Sequence, residues 1–198
     1  MLPDLIRFIT KTLLILFYRF RVEGLENVPV QGGLIVVSNH CANADPPVLD
    51  VAVWKARKVR YLAKKELFSV PFLGAFLTSA GEVPLDRGKA GGDLRALRVA
   101  LEVLEKGGCL GVFPEGTRSR EGKPGRPKLG VSLLASKTGA QVLPAYITGT
   151  DKLPFVRQIT VRLGKPFSFQ ESGLDYEGFA EKTMSEILTL KGKHDGAC

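Results

Sequence analysis

Apolar and polar positions along this chain switch repeatedly between a period of two and a helical period, the pattern of strands interleaved with helices. The clearest strand is the run Gly-Leu-Ile-Val-Val at residues 33–37, apolar and β-branched at its end, which reads as a buried strand. Further strands are predicted at 58–63, 81–87, 109–113, 141–149 and 159–163. Pro144 places a proline near the start or edge of the strand at 141–149. A helix is predicted from Asp45, where the acid precedes Pro46 and Pro47. Another covers 93–106, where Leu94, Leu97, Leu101 and Leu104 keep mostly helical spacing and Gly107-Gly108 stops it. Helices are also predicted at 129–137 and 173–190. Residues 22–29 read as a turn-rich connection and 121–128 as a polar, proline-rich mobile loop. Residues 70–77, apolar but broken by Pro71 and Gly74, read either as a short core helix or as the wall of an apolar pocket.

This alternation predicts a single α/β domain over 21–190, with a mainly parallel central sheet flanked by helices, and a frayed tail at 191–198. Residues 1–20 form a separate element. Phe8, Phe17, Phe20 and Tyr18 crowd it, while Arg7, Lys11 and Tyr18 share one helical stripe with Arg19 beside it. Its charge-free run is too short to span a bilayer, which takes about 20 apolar residues. No small-residue cleavage site follows it, which argues against a secretory signal. The expectation is an amphipathic helix at the membrane surface, with Phe and Leu below the headgroups and Arg7 and Lys11 on anionic lipid. The competing reading is an ordinary amphipathic helix packed on the domain.

Composition narrows the partners. With 198 residues the chain can bury a real core, and its formal charge of +8 favours an anionic partner. Aromatics are sparse on the basic stretches, which weighs against nucleic acid. Three cysteines without a C-x-x-C spacing make neither a disulfide frame nor a zinc site, so a reduced cytosolic setting is the simpler inference. Only two histidines, His40 and His194, and no acid cluster are present, so no metal is expected. The phosphate-loop, dinucleotide, serine-elbow and zinc-protease motifs are absent.

Two segments carry candidate chemistry. His40 follows the 33–37 strand, at the carboxyl end where open α/β sheets bind ligands. A neutral imidazole takes a proton near neutral pH, and a carboxylate can fix its tautomer. Asp45 lies five residues on, off the face His40 would occupy on a regular helix, so a turn must bring it back. Otherwise Asp45 only caps its helix. Cys41 beside His40 does not make a Cys-His pair, because adjacent residues point apart. The second segment, Pro114-Glu115-Gly116-Thr117-Arg118-Ser119-Arg120, joins an acid, a glycine, a hydroxyl and two arginines after a strand. Glycine permits close backbone approach, and arginine grips phosphate bidentately.

Asn39-His40 with Asp45, residues 81–87, Phe113-Pro114-Glu115-Gly116-Thr117-Arg118-Ser119 and Val142-Leu143-Pro144 occur in the order and spacing of four motif blocks. Together they resemble the glycerolipid acyltransferase family, in particular its bacterial 1-acylglycerol-3-phosphate acyltransferases, over residues 21–163. Asn43 stands where many members carry serine, and the amino-terminal portion has room for one membrane helix where some members have two. The resemblance implies acyl transfer from a thioester, acyl-CoA or acyl carrier protein, to the sn-2 hydroxyl of lysophosphatidic acid, with no cofactor. It implies His40 as base and Asp45 as its orienting acid. Arg118 would bind the acceptor phosphate, Arg87 would join it, and Glu115 would meet the glycerol, with Gly116 and Thr117 shaping the loop. Lys64 is added because it follows a strand on the same sheet edge. The implied place is the cytoplasmic face of the membrane, peripheral or monotopic. Alternatives left open are glycerol 3-phosphate or another lysophospholipid as acceptor, and a non-catalytic lipid-binding module.

Overall fold

The computed structural model describes residues 2–86, 88, 93–119 and 125–192. Its strands are β1 (Arg21–Glu23), β2 (Leu34–Ser38), β3 (Val59–Lys64), β4 (Val83–Leu85), β5 (Cys109–Val112), β6 (Gln141–Thr148) and β7 (Thr160–Leu163). Its helices are α1 (Leu2–Tyr18), α2 (Asp45–Val53), α3 (Leu73–Ala80), α4 (Leu94–Glu105), α5 (Gly130–Thr138), α6 (Phe169–Ser172) and α7 (Tyr176–Thr189). The strands form one sheet in the order β1-β7-β6-β2-β5-β3-β4. Every residue of β2 is buried, which requires cover on both faces. Leu34 and Val36 pack with Val48, Leu49 and Ala52 of α2, whereas Ile35 and Val37 pack with α4, α5 and α7 through Ala100, Leu134 and Phe179. The core is thus two apolar layers separated by the sheet.

Strands β6, β2, β5, β3 and β4 are mutually parallel, so their carboxyl ends reach one edge. Only β7 runs antiparallel to β6, and β1 follows β7. At the opposite edge the buried Arg57 guanidinium donates to Pro29 O, Gly32 O and Gly107 O at 2.9, 2.7 and 2.7 Å, closing three chain crossings with one side chain.

Several local expectations change. Part of the stretch read as a turn-rich connection is strand β1, paired in register with β7. Three residues carry too little pattern to show as a strand. Pro144 lies inside β6, not at its start or at a sheet edge. Its carbonyl accepts from Gly164 N at 2.8 Å, and its donorless nitrogen faces the place where β7 has already ended at Leu163. The last helix, predicted over 173–190, is α7, which begins at Tyr176 after a cap by Asp175, whose carboxylate accepts from Gly178 N at 2.8 Å; the short α6 ahead of it carries no prediction. The apolar stretch before β4 is not a core helix. In α3 only Gly74 is buried, and the helix lies at the surface beside α1.

Helix α1 shows the largest difference. Arg7 does not meet solvent or lipid: it is 4% exposed, and its Nε donates to Asp50 Oδ2 of α2 at 2.7 Å. Lys11 is half-buried, and burial, with Lys55 nearby, lowers its ammonium pKa. The outward face carries Leu2, Leu5, Phe8, Ile9, Leu13, Leu16 and Phe17. The helix therefore turns Arg7 inward along with Leu14, and leaves a broad apolar face outward.

Candidate active site

Strand β2 delivers the first loop. Past Ser38, the buried Asn39 amide replaces a strand peptide: its Nδ2 donates to Ile147 O at 2.9 Å and its Oδ1 accepts from Ile147 N at 2.8 Å. This side-chain pairing extends the β2–β6 ladder by one step and fixes where the backbone leaves the sheet. His40 comes next, and the chain turns at once, with Asp45 N donating to Ala42 O at 3.2 Å. The turn brings Asp45 back to His40, with Nδ1 and Oδ2 2.9 Å apart.

Asp45 does not cap its helix; no side-chain cap bond is made at the start of α2. Fully buried, it is held by four donors. Oδ2 accepts from Cys41 N at 2.6 Å and Ala42 N at 2.7 Å besides the imidazole. Oδ1 accepts from Thr150 Oγ1 at 2.5 Å. A carboxylate so placed is an acceptor towards all four, so Nδ1 of His40 carries the hydrogen and Nε2 keeps its lone pair. The position of the carboxylate in the first turn of α2 adds favourable interaction with the helix dipole. The Phe113 ring stacks on the imidazole at 4.2 Å between centroids and 23° between planes, fixing the remaining degree of freedom of the ring. The His40 side chain is 18% exposed, so the ring stays partly accessible from outside.

The neighbouring strand β5 delivers the second loop. Gly116 N donates to Phe113 O at 2.9 Å, and Gly116 holds φ at +70°, a conformation that glycine adopts without a Cβ clash. A Cβ there would also lie 2.8 Å from Lys128 Cε, so the Lys128 stem crosses the loop directly over this glycine. Glu115 is buried; its Oε2 accepts from Ser119 Oγ at 2.7 Å and Gly125 N at 2.8 Å. Its Oε1 is a buried acceptor with no protein partner among the described residues. Ser119 N donates to His40 O at 2.7 Å, which ties the two loops together.

The expected site residues therefore fall as follows. His40 and Asp45 are in contact, and Glu115 and Gly116 build the adjoining loop. Thr117 and Arg118 are exposed on that loop, and the Arg118 side chain has no hydrogen bond or ion pair among the described residues. Lys64 ends β3 on the same sheet edge, exposed, with Nζ 3.8 Å from Glu66. Arg87 lies outside the described residues, as do His194 and part of the loop predicted at 121–128. Asn39, Phe113, Ser119 and Thr150 also hold the site together. The first three stand inside motif blocks, but their contacts are not encoded by spacing, and Thr150 carries no motif signal. Burial pushes the Cys109 thiol up to about 12, so it is no nucleophile at neutral pH.

Residues 19–148 match the sequence profile of the Acyltransferase family. The chain belongs to the acyltransferase family. It is 35% identical over 138 residues to a chloroplastic 1-acyl-sn-glycerol-3-phosphate acyltransferase of Arabidopsis thaliana, covering 69% of this chain and 38% of that protein. It is 32% identical over 188 residues to the Pseudomonas aeruginosa protein of that name, covering 87% of this chain and 72% of the other. The crystal structure of the 1-acyl-sn-glycerophosphate acyltransferase PlsC from Thermotoga maritima superposes with a TM-score of 0.71 at 32% identity, over 90% of this chain and 75% of that one. The chain thus spans well under half the length of the plant relative, and most of the length of the two bacterial proteins. The acyltransferase match contains both site loops and stops short of Thr150.

Proposed function

We propose that this chain transfers an acyl group from a thioester to the sn-2 hydroxyl of 1-acylglycerol 3-phosphate, giving phosphatidic acid. The observation that carries this reading is the His40 Nδ1–Asp45 Oδ2 contact of 2.9 Å, tied through Ser119 N to a loop that presents Arg118. The thioester is already activated, so what the protein supplies is a base and placement. Nε2 of His40 removes the proton of the acceptor hydroxyl. The oxygen attacks the thioester carbonyl, the C–S bond breaks, and the departing sulfur takes the proton back from the imidazolium. Asp45 stabilises that imidazolium. Arg118 binds the acceptor phosphate, joined by Lys64 and Arg87, while Glu115 Oε1 accepts from the glycerol and Gly116 and Thr117 shape the loop. The donor thiol belongs to coenzyme A or acyl carrier protein, and no cofactor takes part.

The same reading places the protein on the cytoplasmic face of a bilayer. Among the described residues, no helix is long and apolar enough to cross one. The outward face of α1 supports peripheral docking instead. Phe72 just before α3, which packs beside α1, and Phe155, between Lys152 and Arg157 in the sequence, are also exposed, at 92% and 93%. Purified protein mixed with vesicles containing lysophosphatidic acid and either acyl donor tests the proposal. Thiol release matched by phosphatidic acid is expected, and His40→Ala abolishes release while leaving vesicle binding intact. Turnover of glycerol 3-phosphate or another lysophospholipid instead would change the acceptor. Lipid binding without release from any donor would make the chain a non-catalytic module.

A further inference from the structure

We propose that Thr150 is a positioning residue for this reaction, the group that locks the Asp45 carboxylate in the one orientation that serves His40. The inference rests on the reading of His40 as base. Three of the four donors on Asp45 come from its own loop, at Oδ2: His40 Nδ1, Cys41 N and Ala42 N. All three approach the same oxygen. They leave the other oxygen, buried with the rest of the carboxylate, without a donor from its own loop. Thr150 approaches from the far side. It is 3% exposed and donates from Oγ1 to Oδ1 at 2.5 Å, across 105 positions of sequence. With it in place each oxygen has its own donors, and a rotation would break bonds at both.

The backbone is built to bring this hydroxyl in. Gly149 holds φ at +89°, and a Cβ there would lie 2.3 Å from Gln158 O, so the chain doubles back as soon as β6 ends. Lys152 N then donates to Gly149 O at 3.3 Å to close the turn. Strand β6 also carries Ile147, whose peptide clasps the Asn39 amide. One strand end therefore fixes both flanks of His40: Asn39 before it through Ile147, and Asp45 after it through Thr150. Replacing Thr150 leaves a buried carboxylate oxygen without a donor, which costs free energy and loosens the imidazole.

Steady-state acyl transfer to vesicle-borne lysophosphatidic acid separates positioning from packing. Thr150→Val keeps the shape and removes the donor; its kcat is expected to fall about 10- to 100-fold, with KM for both substrates within about twofold. Thr150→Ser keeps the donor and should retain kcat within about threefold. The proposal is overturned if Thr150→Val keeps its kcat, or if Thr150→Ser loses as much as Thr150→Val. Should the valine variant not fold, Thr150→Ser against Thr150→Cys carries the test, because the two differ little except in donor strength; equal kcat values would overturn it. A second readout does not depend on turnover. The Nδ1 proton of His40, observed by proton NMR and assigned by its loss in Asp45→Asn, should shift in Thr150→Val and stay in Thr150→Ser. An unmoved resonance rejects the positioning role. If the wild-type protein transfers no acyl group, yet the resonance shifts in Thr150→Val, the proposed reaction is rejected and Thr150 stands as the residue that orients the pair.

Discussion

Helices α1 and α4 lie on opposite faces of the same sheet, and both are amphipathic, yet they are mounted in opposite senses. In α4 the apolar side, with Ala96, Ala100, Val103 and Leu104, is buried, and Arg95 and Arg98 face out. In α1 Arg7 is buried against Asp50, and Phe8, Leu16 and Phe17 face out. The hydrophobic effect orients α4 in the ordinary way. It cannot orient α1, whose outward apolar face makes sense only if something apolar covers it. The polar layer under α1, with Arg7 and Asp50 buried and Glu82 half-buried, is what selects its orientation. Amphipathicity thus reveals that a helix has two sides, while partners elsewhere in the chain decide which one is turned outward.

The contrast can be broken most sharply at the outer face of α1. Phe8→Glu combined with Leu16→Glu is expected to lower vesicle partitioning by about 100-fold, since each side chain forfeits roughly 1.5 kcal/mol of apolar transfer. The melting temperature should barely move. Co-sedimentation with vesicles checks the first outcome and calorimetry the second. The inner face responds the other way round. Arg7→Leu leaves Asp50 buried without its ion partner and should destabilise the fold by about 3 kcal/mol in denaturant titrations. Arg98→Leu on α4 should stay within about 0.5 kcal/mol.

Glu82 gives a pH test of the same layer. Burial raises it from 4.5 to about 7, with Asp50 adding to the rise and the bond from Tyr61 N and the charge of Arg7 opposing it. The folded state therefore holds this proton where the unfolded chain has released it, and stability declines as pH climbs from about 4.5 to about 7. Glu82→Gln should flatten that decline and be more stable than wild type at pH above the window, by on the order of 1 kcal/mol. A variant that follows the wild-type curve would show that Glu82 releases its proton at an ordinary pH. The smallest effect concerns salt. With Arg7 turned inward, raising ionic strength from low to physiological should weaken vesicle binding only about threefold, because apolar insertion carries most of the affinity. A loss as large as that of the double glutamate variant would mean that cations dominate.

The α/β architecture was legible because β2 and β5 are short, continuous apolar runs and the helices between strands keep their period. The contact between His40 and Asp45 was legible because a histidine and an aspartate five positions apart, with prolines next, leave few ways to turn. What stayed hidden depends on partners far along the chain. Nothing near Arg7 announces Asp50, and nothing near Thr150 announces Asp45. Strand β1 is short and takes its identity from β7. Pro144 tolerates a strand interior only because β7 ends opposite it. Glu115 reads as a ligand from its motif, but one of its oxygens is held by Ser119 and Gly125.

The bond from Ser119 N to His40 O has a mechanical consequence. The segment that carries the guanidinium and the residue that carries the imidazole share one rigid strut, so a tug on either is felt by the other. An acceptor stripped of its anionic end forgoes that tug. On the proposed reading, such a truncated alcohol should turn over more slowly even at saturation, and equal turnover in steady-state assays would show that the two loops act independently.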